Sequence, residues 1–388
     1  MPEAPLPIVQ RPSPFHGEEH PEFRRLVRRF VEAEIRPFSH AWDEAEEFPR
    51  ELYRKAGEAG LLGVGFPESY GGAGGDWFHR VILSDELAGG LAGGVSASLL
   101  SHHIGLPPIL ALGSEEVKRR IAPAVFRGEK ISALAITELS GGSDVARLRT
   151  TARRDGDCYV VNGSKTFITS GMRADVLTVA VRTGGEGIGG ISFLVIDGGT
   201  PGLSRTPLRK MGWWCSDTAT LYFEDCRVPV TNRLGEENRG FHAVMHNFNS
   251  ERLAIAATCY GFARVCYDQA VAYARERETF GRKLVEHQVI RHKLVDMATR
   301  LESLKAYLDV LCWQMNRGEA SPASLAMLKN VATGCLEFCA KEGVQIFGGA
   351  GYLRGAAVER IYRETKVLSI GGGAEEIMKD LAAKQLGL

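Results

Sequence analysis

The length of 388 residues exceeds what one small hydrophobic core organises, so we expect two or three domains. Hydrophobic residues make up 44% of the chain and charged residues 24%, as in ordinary soluble globular proteins. Lys+Arg and Asp+Glu both number 47, and the resulting net charge of zero argues against non-specific binding to nucleic acid or acidic membranes.

Membrane and export signals are not expected. We expect no apolar stretch that approaches the roughly 20 residues needed to cross a bilayer. The first residues, Met-Pro-Glu-Ala-Pro-Leu-Pro, lack the features of signal and transit peptides, so the sequence predicts a cytoplasmic protein. The eight cysteines are scattered, mostly within apolar patterns, which predicts buried free thiols. Cys335 and Cys339 are helix neighbours, but no second Cys/His pair completes a metal site, and none is expected.

The first third of the chain has helical patterns. Apolar residues recur at helical spacing in the ranges 23–35, 52–59, 78–91, 96–112 and 115–126. A glycine-rich stretch at 67–76 interrupts them and predicts a loop.

From about Gly128 the pattern changes to short strands. Apolar and β-branched runs at 159–161, 176–181, 191–196 and 219–223 are separated by Gly and Asp turns. Helical patterns return at 241–277, 288–315, 322–347 and 374–386. The predicted fold is mainly α with a central β-domain. It comprises an N-terminal helical domain (1–129), an antiparallel β-barrel or sandwich (130–236) and a C-terminal four-helix bundle (237–388).

Two predicted strands end in runs of small and hydroxylic residues. One run is Ile136-Thr-Glu-Leu-Ser-Gly-Gly-Ser-Asp144, and the other is Phe167-Ile-Thr-Ser-Gly171. Glycines let a backbone approach a ligand, and free N–H and hydroxyl groups offer hydrogen bonds to phosphate or ring heteroatoms. A single run of this kind is usually a polar turn, but two runs on neighbouring strands favour a ligand platform.

A carboxylate interrupts the apolar stripe of the first C-terminal helix. The stripe contains Val244, Phe248, Ile255, Cys259, Phe262 and Cys266. Continuing this series places Glu251 on the same face, beside Arg252, where loss of hydration would suit a general base. The alternatives are a buried Glu–Arg pair or a helix turned so that Glu251 faces water.

Three further segments have ligand-binding character. Arg277-Glu-Thr-Phe280 ends one helix and Gln288 opens the next, which predicts a cationic and aromatic corner. The runs Gln345-Ile-Phe-Gly-Gly-Ala-Gly351 and Ser369-Ile-Gly-Gly-Gly373 are rich in glycine, and the second leads into a helix. N–H groups at a helix N-terminus can bind a carbonyl or phosphate oxygen.

Taken in order, these segments resemble the acyl-CoA dehydrogenase family over nearly the whole chain. Residues 135–146 resemble the family's first signature, and residues 345–352 followed by 358–363 resemble the second. Arg277, Phe280 and Gln288 match the segment between them. The resemblance implies an FAD enzyme, with FAD bound between the β-domain and the last helical domain. It also implies a homotetramer, a dimer of dimers, that passes electrons to an electron-transfer flavoprotein.

The resemblance also assigns cofactor and substrate contacts. On the β-domain side the implied FAD contacts are Ile136, Thr137, Gly142, Ser143, Phe167, Ile168 and Thr169. On the helical side they are Arg277, Phe280, Gln288, Gln345, Gly348, Gly349, Ala374 and Glu376, several of which would reach the FAD of a neighbouring subunit. The implied acyl-CoA contacts are Ser143, Arg252, Gly372 and Gly373.

The position of the catalytic base departs from many family members. Their catalytic Glu lies in the loop before the last helix, where this chain has Gly372. Long-chain and isovaleryl members are similar to this chain in placing Glu followed by Arg on the earlier helix, as in Glu251-Arg252. The resemblance thus implies that Glu251 takes the α-proton while the β-hydrogen leaves as hydride to flavin N5, giving the trans-2-enoyl-CoA. Alternatives are a flavin monooxygenase or oxidase of the same fold, or a non-catalytic acyl-CoA-binding homologue.

Overall fold

A computed structural model of the protein describes residues 13–241 and 248–388. We number the helices of these residues in chain order. They are α1 Glu19–Glu34, α2 Ser39–Glu44, α3 Glu51–Glu58, α4 Trp77–Ala88, α5 Gly93–Leu99, α6 His102–Gly105, α7 Pro107–Leu112, α8 Glu115–Phe126, α9 Phe248–Glu276, α10 Gln288–Arg317, α11 Pro322–Phe347, α12 Ala357–Ile370 and α13 Glu375–Leu386.

The described residues form two compact units, each defined by contacts among its own residues. The helical unit contains the residues up to Ala41, the range 75–93 and the range from Arg252 to the end. The sheet unit contains residues 42–74 and the described part of 94–251. Helices α1, α4 and α9–α13 lie in the helical unit apart from the first turn of α9, and all strands of the large sheet lie in the sheet unit. The division into three domains stays a prediction.

The N-terminal helices agree with the sequence patterns in most places. Helix α8 has the predicted bounds and begins where the Ser114 side chain accepts a hydrogen bond from the Val117 N–H, a regular N-cap. The helix predicted at 96–112 is instead three short helices, α5 to α7, the last of which has proline at its start.

The same region corrects the expectation about apolar stretches. Gly93–Leu112 is 20 residues long with a mean hydropathy of 1.3, so by length and composition it could cross a membrane. The signal is weak, because 56% of its most apolar window is buried within the protein and the stretch is broken into three helices.

The strands of the sheet unit form one eight-stranded sheet. They are β1 Ser132–Ala135, β2 Thr151–Asp155, β3 Cys158–Ile168, β4 Val176–Arg182, β5 Ile191–Asp197, β6 Leu203–Pro207, β7 Ala219–Pro229 and β8 Arg233–Leu234. The order is β6-β7-β3-β2-β4-β5-β8, and β1 pairs with β4. The sheet is mixed because β4 runs parallel to both β1 and β2.

Of the predicted antiparallel barrel or sandwich, a closed barrel is not found in the described residues, and the sheet is not purely antiparallel. The path through the sheet ends at β6 and β8, which do not pair with each other. Alternate residues of β4 pack into two different cores. Val176 and Ala180 pack with α7 and α8, and Leu177 and Val179 pack with residues of β3 and β7. A strand buried on both faces gives a continuous apolar pattern, which contains no information on parallel or antiparallel pairing.

The helical unit contains the predicted long helices and one that was not predicted. Helix α11 packs against α10, α12 and α13. Helix α12 buries Val358, Ile361 and Leu368, although the sequence pattern identified only a motif there. The predicted free thiols are confirmed: all eight cysteines are unpaired, Cys158 is half-buried and the others are buried.

Candidate active site

A buried carboxylate organises the loop that follows β1. Glu138 is only 6% exposed, and it accepts hydrogen bonds from the backbone N–H groups of Arg149 (2.6 Å) and Thr150 (2.9 Å). The Lys165 ammonium donates to the same carboxylate at 2.7 Å. The Glu138 carboxylate is bound inside the protein, whereas Gly142 and Ser143 of the same loop are exposed to solvent.

The end of β3 presents an aromatic ring to solvent. The pairing of β3 with β7 gains one extra residue between Lys165 and Ile168, which is a β-bulge. At this bulge Phe167 has φ 60° and its side chain is 64% exposed. A bulky residue in the left-handed region is uncommon, and such conformations cluster at functional sites. The backbone N–H of Thr166 donates to the Thr137 carbonyl at 2.9 Å, so the two predicted flavin-contacting segments are neighbours.

Burial and charge act in opposite directions on the Lys165–Glu138 pair. Burial lowers the pKa of Lys165 to about 8, and the Glu138 charge partly opposes this. Burial would raise the pKa of Glu138, but the Lys165 charge and the hydrogen bonds to the carboxylate hold that pKa below its usual range. At neutral pH both groups are charged.

The proposed base lies in the first turn of α9. The Glu251 side chain is half-buried and Arg252 is 5% exposed. The predicted apolar stripe is only partly correct, because Ile255 is half-buried while Cys259, Phe262 and Cys266 are buried. Val244, also part of that stripe, lies outside the described residues. The helix is buried on more than one face, so the stripe alone did not define its orientation.

The glycine loop between α12 and α13 is held by two side chains of α11. The Lys329 ammonium donates to the carbonyls of Ser369 (3.2 Å) and Gly373 (2.6 Å), and the Asn330 amide donates to the Glu375 carbonyl (3.0 Å). Gly372 has φ 65°, which glycine adopts without strain. In the described part of the chain its N–H has no hydrogen-bond acceptor.

The N-terminus of α13 is also open. Its N-cap residue, Ala374, has no side-chain hydroxyl or carboxylate, and no side-chain hydrogen bond caps the helix. Uncapped N–H groups and the positive end of the helix dipole favour an oxygen acceptor from a ligand.

Between α9 and α10 a tight hairpin exposes a second aromatic ring. Strands β9 Glu278–Thr279 and β10 Arg282–Lys283 pair across a two-residue turn of Phe280 and Gly281, both with positive φ. Phe280 is 98% exposed. Arg277, Gln288, Gln345, Gly348 and Gly349 are exposed as well.

The predicted site residues therefore fall into two sets. The sheet unit holds Ile136, Thr137, Gly142, Ser143, Phe167, Ile168, Thr169 and Glu251. The helical unit holds Arg252, Arg277, Phe280, Gln288, Gln345, Gly348, Gly349, Gly372, Gly373, Ala374 and Glu376. The side chains of Ile136 and Ile168 are buried in protein cores, so only their backbone groups remain to face a ligand. Their assigned roles stay predictions.

Sequence reasoning did not single out Glu138, Lys165, Lys329 or Asn330. Glu138 lies inside a motif that had been identified for its small residues, and its partner Lys165 is 27 residues away. The sequence did contain one indication of such residues, namely a lysine within an apolar strand or helix, as at Lys165 and Lys329. A buried cation of this kind requires specific partners.

One group of side chains in the described residues has the composition of a metal site. His20, Asp76 and His79 place one ligand atom each within 4.8 Å of one another. Hydrogen bonding accounts for this arrangement: Asp76 is the N-cap of α4, and it accepts from the His79 N–H at 3.1 Å and from the Asn316 amide at 2.9 Å. The Gly17 N–H points at His20 Nδ1 (2.8 Å), whereas a metal-bound histidine normally donates from its second nitrogen. The expected absence of a metal stays a prediction.

Comparison with known protein families identifies the chain. Three family models match consecutive ranges: the acyl-CoA dehydrogenase N-terminal domain at 17–129, the middle domain at 133–226 and the C-terminal domain at 238–387. The chain is a member of the acyl-CoA dehydrogenase family. It is therefore an oxidoreductase that acts on an acyl-CoA, and the members of this family are flavoproteins.

Individual relatives agree over the full length. An acyl-CoA dehydrogenase of Bacillus subtilis is 38% identical, covering 95% of this chain and 98% of the relative. The mitochondrial long-chain specific acyl-CoA dehydrogenase of Sus scrofa is 37% identical, covering 95% and 87%. A crystal structure of a putative acyl-CoA dehydrogenase from Mycobacterium smegmatis superposes with a TM-score of 0.95 at 46% identity, covering 97% and 99%.

Two further solved structures bear on the cofactor and the electron acceptor. A glutaryl-CoA dehydrogenase from Mycobacterium smegmatis in complex with FADH2 has a TM-score of 0.91 at 27% identity, covering 96% of this chain and 95% of the other. A chain from a study of the electron transferring flavoprotein of Acidaminococcus fermentans has a TM-score of 0.93 at 33% identity, covering 97% and 99%.

Proposed function

We propose that this enzyme oxidises an acyl-CoA thioester to the trans-2-enoyl-CoA, with Glu251 as the base that removes the α-proton. One observation carries the proposal: Gly372 occupies the loop position where many family members carry their base, while Glu251 precedes Arg252 in α9, as in the long-chain and isovaleryl members. A half-buried carboxylate at this position is partly shielded from water and still accessible to a substrate.

FAD is the proposed cofactor. Phe167 supports this on the sheet unit, because its strained, exposed ring offers an apolar face to a planar group. On the helical unit the open Gly349 and the uncapped α13 would hold polar parts of the cofactor. Bound FAD would supply the acceptor for the β-hydride.

The residues of this chain would position the thioester and stabilise negative charge on it. The Gly372 N–H would donate a hydrogen bond to the thioester carbonyl as negative charge develops on that oxygen. Ser143 and Arg252 would contact the acyl-CoA, and Lys329 would hold the glycine loop in place. Alignment of the α- and β-hydrogens with their acceptors would contribute the remaining rate acceleration.

We further infer a homotetramer, built as a dimer of dimers, and an electron-transfer flavoprotein as the electron acceptor. The exposed Phe280 and Gln345 support the tetramer, because they fit the prediction of contacts with the FAD of a neighbouring subunit. A cytoplasmic location without membrane or nucleic-acid partners is part of the same proposal.

The proposed acyl group is long, branched or bulky. In this chain the base is on α9, and the loop at 371–373 contains only glycines. Because glycine has no side chain, this loop leaves more space near the reacting carbons than a loop that carries the base. A relative of the long-chain type at 37% identity is consistent with this choice.

Anaerobic titration of the purified protein with a panel of acyl-CoAs, followed by flavin absorbance, tests the proposal. We expect bleaching of the flavin with long or branched acyl-CoAs and weaker bleaching with butyryl-CoA. Preference for short straight chains would refute the substrate class. Binding of acyl-CoA by the protein without bleaching of its flavin would identify a non-catalytic homologue. If air is then admitted to the reduced protein, rapid reoxidation of the flavin with turnover would identify an oxidase.

A further inference from the structure

We propose that Lys165 is a positioning residue for the flavin: together with Glu138 it fixes the two chain segments that would contact the isoalloxazine ring. We call these two segments, 136–143 and 165–169, the flavin platform. The inference rests on the proposed function, because it takes FAD as the cofactor.

Lys165 connects the two segments of the platform directly. It lies in β3 two residues before Phe167, and its side chain is fully buried. Its ammonium donates to the Ile136 carbonyl at 3.0 Å and to the Glu138 carboxylate at 2.7 Å. The Lys165 side chain therefore holds both Ile136, at the start of the loop, and the buried Glu138 against β3, the strand that carries Phe167.

Glu138 extends this connection to a third segment. Its carboxylate also binds the backbone N–H groups of Arg149 and Thr150, and the Thr150 hydroxyl donates back to the Ser164 carbonyl of β3 at 3.1 Å. The carboxylate thus closes a ring of hydrogen bonds that begins and ends on β3. The exposed part of the platform, including Ser143, is attached to this closed ring.

General energetics favour a positioning role over a purely stabilising one. A buried ion pair gains little over well-packed apolar side chains, because both charges lose hydration. Its distinctive effect is geometric, since a charged, hydrogen-bonded pair tolerates few alternative arrangements. A planar ligand needs its contacting segments held within a fraction of an ångström.

The test separates the geometry of the platform from protein stability. Lys165→Met removes the ammonium, and the double variant Lys165→Met/Glu138→Gln also removes the unpaired buried charge. Thr178→Val is the matched control, because the buried Thr178 hydroxyl donates to the Gly105 carbonyl at 2.7 Å and to neither segment of the platform. The measurements are the dissociation constant of FAD from the apoprotein, the flavin absorbance spectrum and the unfolding midpoint of the apoprotein.

We expect the double variant to regain much of the stability lost in Lys165→Met while its FAD affinity stays about tenfold or more below wild type, the size of one lost charged hydrogen bond. Its bound flavin should have an altered absorbance band. Thr178→Val should lose stability without losing FAD affinity. FAD affinity and a spectrum equal to wild type in the double variant would overturn the inference.

Hydrogen exchange of the wild-type apoprotein gives a second test that needs no variant. The amides of Arg149 and Thr150 should be protected before FAD is added, because the Glu138 carboxylate already binds them. Fast exchange of both amides would contradict a preformed platform. If the wild-type protein binds no FAD, the proposed function fails, whereas normal FAD binding by the double variant refutes the positioning role alone.

Discussion

Two phenylalanines combine an uncommon backbone conformation with high exposure. Phe167 has φ 60° and is 64% exposed, and Phe280 has φ 52° and is 98% exposed. Such a conformation costs on the order of 1–3 kcal/mol for a bulky residue, and an exposed ring recovers little of that cost through burial. The strain therefore favours contacts with a bound group or a second subunit.

Replacing Phe167 with glycine tests this explanation at the level of one residue. Glycine adopts a positive φ readily, so the apoprotein of Phe167→Gly should be at least as stable as wild type. FAD affinity should fall about tenfold, because a lost aromatic contact removes about 1 kcal/mol and some buried area. Urea unfolding and FAD titration of the apoprotein measure the two effects. A large loss of apoprotein stability would show that the ring packs against protein.

At the scale of elements, α11 supports the glycine loop through Lys329 and Asn330. The buried Lys329 donates to the Ser369 carbonyl in the last turn of α12 and to the Gly373 carbonyl in the loop, and so fixes the direction of the N–H groups between them. Lys329→Met should lower the rate of flavin bleaching by acyl-CoA about tenfold or more, the effect of misplacing one oxyanion donor. FAD content should remain normal. Lys366→Met, which removes an exposed lysine paired with Glu337, is the control and should leave the rate unchanged. An unaltered rate in Lys329→Met would refute the support role.

An ionic network joins three helices of the helical unit. Asp85 on α4 is 2% exposed and binds Arg24 of α1 at 2.5 Å and Arg264 of α9 at 3.0 Å. Burial would raise the pKa of Asp85, but the two arginines lower it to about 2. Because the folded pKa lies below the unfolded value of about 3.9, the stabilisation is complete above pH 4 and is lost as the pH falls towards 2.

Acid unfolding of wild type and Asp85→Asn tests this network. Between pH 4 and pH 2 the wild type should lose about 2 kcal/mol of unfolding free energy through this residue. Asp85→Asn should be less stable at neutral pH, because Arg24 and Arg264 lose the Asp85 charge and keep Glu86 and Asp268 as partners. The stability of the variant should also depend less on pH in the acid range. Asp155→Asn, which breaks an exposed pair with Arg227, should have little effect. Equal acid dependence in wild type and Asp85→Asn would contradict the assigned pKa.

At the scale of the whole molecule, local patterns predicted the elements better than their arrangement. Helix α8 was predicted within its observed bounds, because its periodicity and cap are local signals. Helix α12 was missed between glycine-rich segments, although Val358, Ile361 and Leu368 have helical spacing. The pairing of β1 with β4 joins residues 44 positions apart, as in Ser132 and Val176, and no local pattern encodes it.

Those residues of the candidate site that lie in recognisable sequence motifs could be predicted from the sequence. The exposed Gly142, Ser143, Phe167 and Phe280 were found from such runs. The apolar stripe predicted that Glu251 faces the core, and the side chain is half-buried. The extent of burial could not be predicted, because α9 is buried on several faces and the stripe does not define one of them. The Lys165–Glu138 pair depends on a tertiary contact and could not be derived from spacing.

The assembly provides a test on the whole-molecule scale. We expect a native mass four times the 42.3 kDa of the chain, measured by sedimentation or light scattering. Phe280→Gly suits the positive φ of its turn, so the variant should keep this mass while its FAD affinity falls, because a contact with the cofactor of a neighbouring subunit is lost. A monomer, or normal FAD affinity in the variant, would contradict the proposed role of Phe280.

The rate of the anaerobic half-reaction in Glu251→Gln tests the central claim most directly. Glutamine keeps the size of the side chain and removes its ability to accept the α-proton, so flavin bleaching by a long-chain acyl-CoA should slow by at least about a hundredfold. FAD and acyl-CoA should still bind. Glu319→Gln, a change at an exposed carboxylate outside the site, should react like wild type. Bleaching of Glu251→Gln at the wild-type rate would show that another group removes the proton.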